Sequence, residues 1–267
     1  MSISKIRKAE LEELADYIVT EEMDGSLPVD VAAIAESNGI TFSLNDYEDY
    51  FDGLLEHEDG RFHIYINNRG KYSLNTPRLR FSFAHELCHF FIDEHRVVLE
   101  SGTSLHHPSK YSFNQRNSVE QEADYFASCL LMPASLFAEK SKGTFSFEKL
   151  EALTRAFKSS LPATASRYME YGSMPIAIVC AEKGMVKYNL FSEDFPYKVL
   201  KLNYDSKVPP LTCCGDYFIN GVKCDGTEDV DAKEWFRTWD NLDGVRVHEH
   251  CVYQEQYART LSVLWFD

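Results

Sequence analysis

The first half of the chain places its hydrophobic residues mostly at helical spacing. Residues 5–20 have apolar positions three and four apart among charged ones, which predicts an amphipathic helix. Pro28 opens a second short helix, and Asn38-Gly39 is a pair typical of a helix C-terminus. Further helical patterns lie near residues 77–95, 118–131, 146–157 and 163–171.

Alternating apolar and polar residues predict strands in two places. Residues 40–44 form one such run, and residues 54–57 and 62–66 are joined across Asp59-Gly60, a dipeptide that favours a hairpin. After Gly172 the helical spacing gives way to alternation. The strand-like runs there are residues 175–180, 185–191, 245–254 and 258–266. The pattern predicts a helix-rich half followed by a β-rich half.

Composition and charge narrow the class of protein. A chain of 267 residues with 44% hydrophobic residues can bury a core, which excludes disorder of the whole chain. The formal net charge of −15 disfavours electrostatic binding to nucleic acids and to anionic membranes. The N-terminus lacks the apolar run of a signal peptide, and seven cysteines do not suit a disulfide framework. We therefore predict a cytoplasmic protein with reduced thiols and no membrane association.

The segment His85-Glu86-Leu87-Cys88-His89 carries the most informative chemistry. Two residues four apart on a helix lie about 6 Å apart along its axis and about 40° apart around it. His85 and His89 can therefore share one metal ion, and Glu86 can reach a water beside that ion. Zinc suits this set, since it accepts neutral imidazoles and leaves a position open for water. We predict His85 and His89 as metal ligands, with Glu86 close enough to act on a metal-bound water.

A third protein ligand is required, and two solutions compete. His95 stands where metzincins place their third histidine, but that geometry needs a glycine turn at the position that Ile92 occupies here. Thr76-Pro77 begins a pattern with no breaker up to His95, so we expect one continuous helix that leaves His95 about 240° from His89. This reasoning makes His95 a helix-end residue and rejects the metzincin arrangement.

The other solution is a glutamate on the helix of residues 118–131. Glu120 lies about 50° from the centre of the apolar face of that helix, whereas Glu122 lies about 110° away. Glu120 is the predicted third ligand because a buried carboxylate is costly unless it is paired or metal-bound. Glu122 stays open as the alternative ligand. Asp124 is predicted to accept a proton from a ligating imidazole. The apolar face consists of Ala123, Phe126, Ala127, Leu130 and Leu131.

The sequence RFSFAHELCHFFIDEH, followed by E-x-E-A-D-Y-F-A-x-x-L-L-M-P, resembles the ImmA/IrrE family of zinc metallopeptidases. The resemblance covers about residues 28–172 and departs from the family pattern at Cys88, a position that is often glycine. It implies a gluzincin-like site with one zinc per chain on His85, His89 and Glu120, and with Glu86 as the catalytic general base. It further implies an endopeptidase whose partner is a protein substrate, such as a repressor of phage, mobile-element or stress-response genes.

The expected fold class is α+β. It comprises a zincin-like, helix-rich metallopeptidase domain with a small antiparallel sheet over residues 1–140, and a helix-turn-helix-like pair over 141–172. A β-rich sensor or docking domain follows over 173–267. The helical pair has a net charge of only about +1 over residues 148–170, so direct nucleic-acid binding is disfavoured.

Two alternatives remain beside the peptidase. The chain could act by binding, as a non-catalytic zinc-bound adaptor or toxin–antitoxin component, and a DNA-binding regulator is a weaker possibility. A second, structural zinc site is also conceivable in the β-rich part, but the spacing there matches no common zinc motif, and buried thiols are the favoured interpretation. The residues of that rival site are Cys213, Cys214, Cys224, His248, His250 and Cys251.

Overall fold

The computed structural model describes residues 3–102, 118–200, 204–238 and 241–267. Its elements confirm the predicted α+β class. No helix in these ranges is long and apolar enough to cross a membrane.

The chain divides into two compact units, and two of the three points where it passes from one unit to the other lie inside a helix. The division into three domains that the sequence suggests stays a prediction. The first unit comprises Met1–Lys140 and Ala152–Ala163, and the second comprises Ser141–Glu151 and Thr164–Asp267.

The described residues form ten helices and eight strands. The helices are α1 (Lys5–Tyr17, continued by a π-helical turn over Ile18–Glu22), α2 (Val31–Ser37), α3 (Pro77–Phe91), α4 (Asp93–Glu100), α5 (Ser118–Leu131), α6 (Ala134–Lys140), α7 (Phe147–Phe157), α8 (Leu161–Tyr171), α9 (Cys213–Asn220) and α10 (Ala232–Trp235). The strands are β1 (Thr41–Asn45), β2 (Gly53–Glu58), β3 (Arg61–Asn67), β4 (Ile176–Glu182), β5 (Met185–Phe191), β6 (Thr227–Asp231), β7 (Arg246–Gln254) and β8 (Arg259–Trp265).

Helices α3 and α5 pack against each other in the first unit. Phe83 and Leu87 of α3 and Ala123 and Phe126 of α5 are fully buried. α3 also packs on β2 and β3, and Phe42 of β1 meets Phe83 with its ring centroid 5.1 Å away. α3 is therefore enclosed between a sheet and a helix, which explains why residues 83–89 are all buried.

The small sheet of the first unit has the strand order β1-β3-β2. β2 and β3 form the antiparallel hairpin predicted across Asp59-Gly60, but β1 runs parallel to β3. The sheet is mixed, so the expectation of a purely antiparallel sheet was wrong in this detail. The chain reverses direction once between β1 and β2 and again between β2 and β3, which returns β3 to the direction of β1.

The helix that carries the two histidines ends earlier than its sequence suggests. α3 stops at Phe91, Ile92 takes an extended conformation (φ −82°, ψ 112°), and α4 begins at Asp93. The expectation of one continuous helix to His95 was therefore wrong. Asp93 and Glu94 lie in the first turn of α4, where acidic side chains stabilise the N-terminal end of a helix dipole. Ile92 itself is buried, and its burial holds the turn in place.

A five-stranded antiparallel sheet of order β5-β4-β8-β7-β6 organises the second unit. Glu249 of β7 is fully buried. Its carboxylate accepts hydrogen bonds from the backbone N–H groups of Cys213 and Cys214 (both 3.1 Å), Trp235 Nε1 (3.1 Å) and Ser262 Oγ (2.8 Å). Burial raises the pKa of Glu249, and these four donors act in the opposite direction. One carboxylate thus ties α9, α10 and β8 to β7.

Candidate metal centre

Helix α3 places His85 and His89 side by side. The two imidazole rings are one helical turn apart, with their centroids separated by 5.2 Å, and both side chains are buried. Their position four residues apart on a regular helix is the reason that both point to the same side.

Helix α5 brings Glu120 to the same point. Its Oε2 lies 3.1 Å from His85 Nε2, and its Oε1 lies 3.9 Å from His89 Nε2. Glu120 is buried, as its position on the helical face predicted, while Glu122 points to a different neighbour, described below. One ligand atom from each of His85, His89 and Glu120 lies within 4.8 Å of the other two.

This donor set fits a divalent metal ion. Bonds of about 2.0–2.1 Å to a tetrahedral zinc place ligand atoms about 3.3 Å apart, close to the spacing of His85 Nε2 and Glu120 Oε2. The triad could therefore hold a metal ion. Within the described part of the chain it is the one such group of His, Cys, Asp and Glu, and the cysteines of the second unit do not form another.

Asp124 contacts the far side of His85. Its Oδ1 lies 3.0 Å from His85 Nδ1, and it stands one turn after Glu120 on α5. Burial lowers the pKa of His85, but the hydrogen bonds to Asp124 and Glu120 outweigh it and raise that pKa to about 10. A metal ion bound at Nε2 of His85 would take the place of a proton on that atom.

Glu86 lies beside the triad and is completely buried. Gly53, the first residue of β2, packs directly against its carboxylate. A Cβ atom built on Gly53 would stand 2.5 Å from Glu86 Oε1 and 3.0 Å from its Cδ. Only a glycine leaves room for the carboxylate in this position. The sequence held no sign of this role, since the glycine and the glutamate are brought together only by the packing of the sheet on α3.

The region around these residues matches a known family. Residues 39–169 match the model of the Peptidase_M78 family, described as the IrrE N-terminal-like domain. Residues 39–169 therefore belong to the Peptidase_M78 family. This confirms the resemblance to the ImmA/IrrE family, and the Peptidase_M78 domain contains the whole triad together with Glu86 and Gly53.

The fold also has a solved counterpart. A Mycobacterium tuberculosis transcriptional regulator is similar to this chain, with a TM-score of 0.56 over 96% of this chain and 76% of that one. Only 14% of the aligned residues are identical, so the likeness concerns the fold. No curated protein matches the chain at a significant level.

His95 takes a place in the Peptidase_M78 domain that the sequence pattern did not predict. Because the chain turns at Ile92, His95 of α4 comes back toward α3, and its Nδ1 lies 3.2 Å from His89 Nδ1. It is buried, and it is outside the triad. The signal that could have revealed the turn is the pair Asp93-Glu94, which marks the first turn of a new helix.

Glu122 and Arg7 complete the surroundings of His95. Glu122 Oε2 lies 3.7 Å from His95 Nε2, accepts a hydrogen bond from Arg7 Nε (2.9 Å) and forms an ion pair with Arg7 Nη2 (2.8 Å). Burial lowers the pKa of Arg7, but hydrogen bonds to Glu122 and Glu10 outweigh this effect and raise it. Arg7 belongs to α1, outside the matched residues, so the N-terminal helix contributes to the environment of the site.

Proposed function

We propose that this protein is a zinc-dependent endopeptidase that cleaves a specific protein. The observation that carries the proposal is the convergence of His85, His89 and Glu120, with Glu86 buried beside them. Zinc, when bound by the triad, polarises a carbonyl group and lowers the pKa of a water molecule. Membership of residues 39–169 in a peptidase family supports hydrolysis of a peptide bond.

The catalytic work of the chain itself falls to Glu86. Its carboxylate accepts a proton from the attacking water and returns it to the amine of the departing peptide. Gly53 confines that carboxylate, and the surrounding burial keeps bulk water away from it. His85, His89 and Glu120 hold the ion, and Asp124 orients His85 by accepting its Nδ1 proton.

The first unit offers a place for an extended peptide. β2 is an edge strand, since no further strand among the described residues pairs with its outer side, and it begins at Gly53 beside Glu86. A peptide that added to this edge would pass the general base. A cavity of about 580 Å³ lies nearby and is large enough for an apolar side chain. Its walls include Pro77, Phe81, Leu131, Met132 and Ala163, and the Phe81 ring centroid is 6.4 Å from that of His85.

A transcriptional repressor is the proposed substrate class. The ImmA/IrrE resemblance implies such a target, and the similar solved structure is that of a transcriptional regulator. Cleavage would relieve repression of phage, mobile-element or stress-response genes. A cytoplasmic location, a sensor or docking role for residues 173–267 and the weak case for direct nucleic-acid binding remain predictions.

The test is the variant Glu86→Gln, which removes the proton acceptor while leaving the triad intact. We expect it to retain zinc and to bind the target, but to cleave the target about 10²–10⁴-fold more slowly. Tagged Glu86→Gln is used to capture the target from the host, and the captured protein is then incubated with wild-type protein. Fragments are identified by mass spectrometry. A chelator should stop cleavage, and added zinc should restore it.

Glu36→Gln is the matched control, because Glu36 is an exposed acid of α2 outside the site. It should cleave at the wild-type rate. The contrary result would be full derepression by Glu86→Gln in the host with the target intact. The protein would then act by binding, as the adaptor or toxin–antitoxin alternative requires, and the peptidase proposal would be wrong.

A further inference from the structure

We infer that His95 is a positioning residue that holds His89 in the tautomer able to bind a metal ion, with Glu122 and Arg7 supporting it. The inference rests on the proposed function only in taking His89 as a metal ligand. It gives a role to a histidine that lies outside the triad and to an arginine from α1.

The contact between the two histidines requires a definite placement of protons. The Nδ1 atoms of His89 and His95 are 3.2 Å apart, so one of them must donate and the other accept. His89 Nε2 is the atom that faces Glu120, at 3.9 Å. If that atom binds a metal ion it carries no proton, so the proton of His89 is on Nδ1. His95 Nδ1 is then the acceptor, and the proton of His95 is on Nε2.

Glu122 stabilises this tautomer of His95. Its carboxylate lies 3.7 Å from His95 Nε2, on the side where the proton must be. Negative charge at this distance favours a proton on the nitrogen that faces it. Arg7 fixes the carboxylate through two contacts of 2.8 and 2.9 Å and is itself held by Glu10 and Glu94, both 3.3 Å away.

The alternative hydrogen-bond partner of His95 Nδ1 is weaker than His89 Nδ1. Among the described residues, Cys88 Sγ is the other polar atom near it, and it is 4.0 Å away. The His95 side chain is only 6% exposed, so water has little access to it. A buried imidazole nitrogen needs a partner, and His89 Nδ1 is the nearer of the two. The pair His89–His95 thus corresponds to the pair His85–Asp124, with an imidazole in place of a carboxylate.

The experiment compares His95→Asn with His95→Leu. The Asn oxygen falls close to the position of the His95 Nδ1 atom and can accept the same hydrogen bond, whereas Leu has a similar size and no acceptor. Zinc affinity is measured directly, by competition between the metal-free protein and a fluorescent chelator for Zn²⁺. Loss of a partner that orients a metal-ligating histidine weakens binding about 10–100-fold. We expect this loss for His95→Leu, and an affinity within a few-fold of wild type for His95→Asn.

Two more variants distinguish a loss of positioning at His89 from a general loss of folding. Glu122→Gln keeps His95 in place but removes the negative charge, and it should weaken zinc binding by less than His95→Leu does. His248→Leu is the matched control, because His248 is a half-buried histidine of β7 in the second unit. The zinc affinity of this variant should equal that of the wild-type protein. Circular dichroism of each metal-free variant checks that the helices are retained.

The outcomes distinguish the two proposals. Wild-type affinity in His95→Leu would overturn this inference, and so would equal losses in His95→Leu and His95→Asn, since packing rather than hydrogen bonding would then be responsible. If His95→Leu does not fold, a wild-type zinc affinity in Glu122→Gln would likewise overturn this inference. A wild-type protein without measurable zinc affinity would instead overturn the proposed function itself.

Discussion

Replacement of Gly53 by alanine tests whether the position of Glu86 governs the reaction. Gly53 is not among the residues with positive φ, so its backbone accepts alanine without strain. The added methyl group would lie 2.5 Å from Glu86 Oε1 and 2.9 Å from its Cγ. Ordinary van der Waals contact begins at about 3.4 Å, so the carboxylate must move by about 0.9 Å.

The expected effect follows from that displacement. A misplacement of about 1 Å in a reacting group costs about 10²-fold in rate, and complete loss of a general base costs about 10²–10⁴-fold. We therefore expect Gly53→Ala to lower kcat about 10–100-fold, equivalent to about 1.4–2.7 kcal/mol of activation free energy. The zinc content should stay near one per chain, because Glu86 is outside the triad. The free energy of unfolding should fall by about 1–3 kcal/mol from overpacking.

The assay follows cleavage of the target captured by Glu86→Gln, with metal content and unfolding measured on the same preparations. The decisive control is the double variant Gly53→Ala/Glu86→Gln. If alanine acts only by moving the carboxylate, the double variant should be no slower than Glu86→Gln alone. A wild-type rate in Gly53→Ala would refute the reasoning, and so would a further loss of the same size in the double variant.

Four other substitutions probe the triad and the second unit. Glu120→Ala should abolish stoichiometric zinc binding, measured by metal analysis after dialysis, whereas Glu122→Gln should still bind one zinc at saturation; the opposite pattern would make Glu122 the third ligand. Glu249→Gln should lower the free energy of unfolding by about 1–3 kcal/mol in a denaturant titration, because its amide would place a donor against the donors that now surround the carboxylate. Ser262→Ala removes one of those donors and should cost about 1 kcal/mol; equal stability of Glu249→Gln and wild type would contradict this account.

Local spacing was sufficient to predict much of the geometry of the triad. His85 and His89 lie on the same side of a helix because four residues make slightly more than one turn. The burial of Glu120 could be predicted because the apolar positions of α5 define which side of the helix faces the core, and Glu120 is buried there. These features depend on one helix at a time, and they required no knowledge of what the helix packs against.

Other features required the tertiary structure. The turn at Ile92 depends on the burial of that side chain, and without it His95 would not reach His89. The parallel pairing of β1 with β3 is a choice between strand orders that alternation along the chain does not specify.

The sequence by itself determined the α+β class and, for each of the two helices of the site, which residues lie on its inward side. The tertiary structure alone decided that Gly53 confines Glu86 and that Arg7, through Glu122, reaches the surroundings of His89. The physical reason is the separation of the contacting residues along the chain. Helical periodicity is a property of neighbouring residues, whereas these contacts join residues 33 or more positions apart, 53 to 86 and 7 to 122, and only the packing of separate elements brings them together.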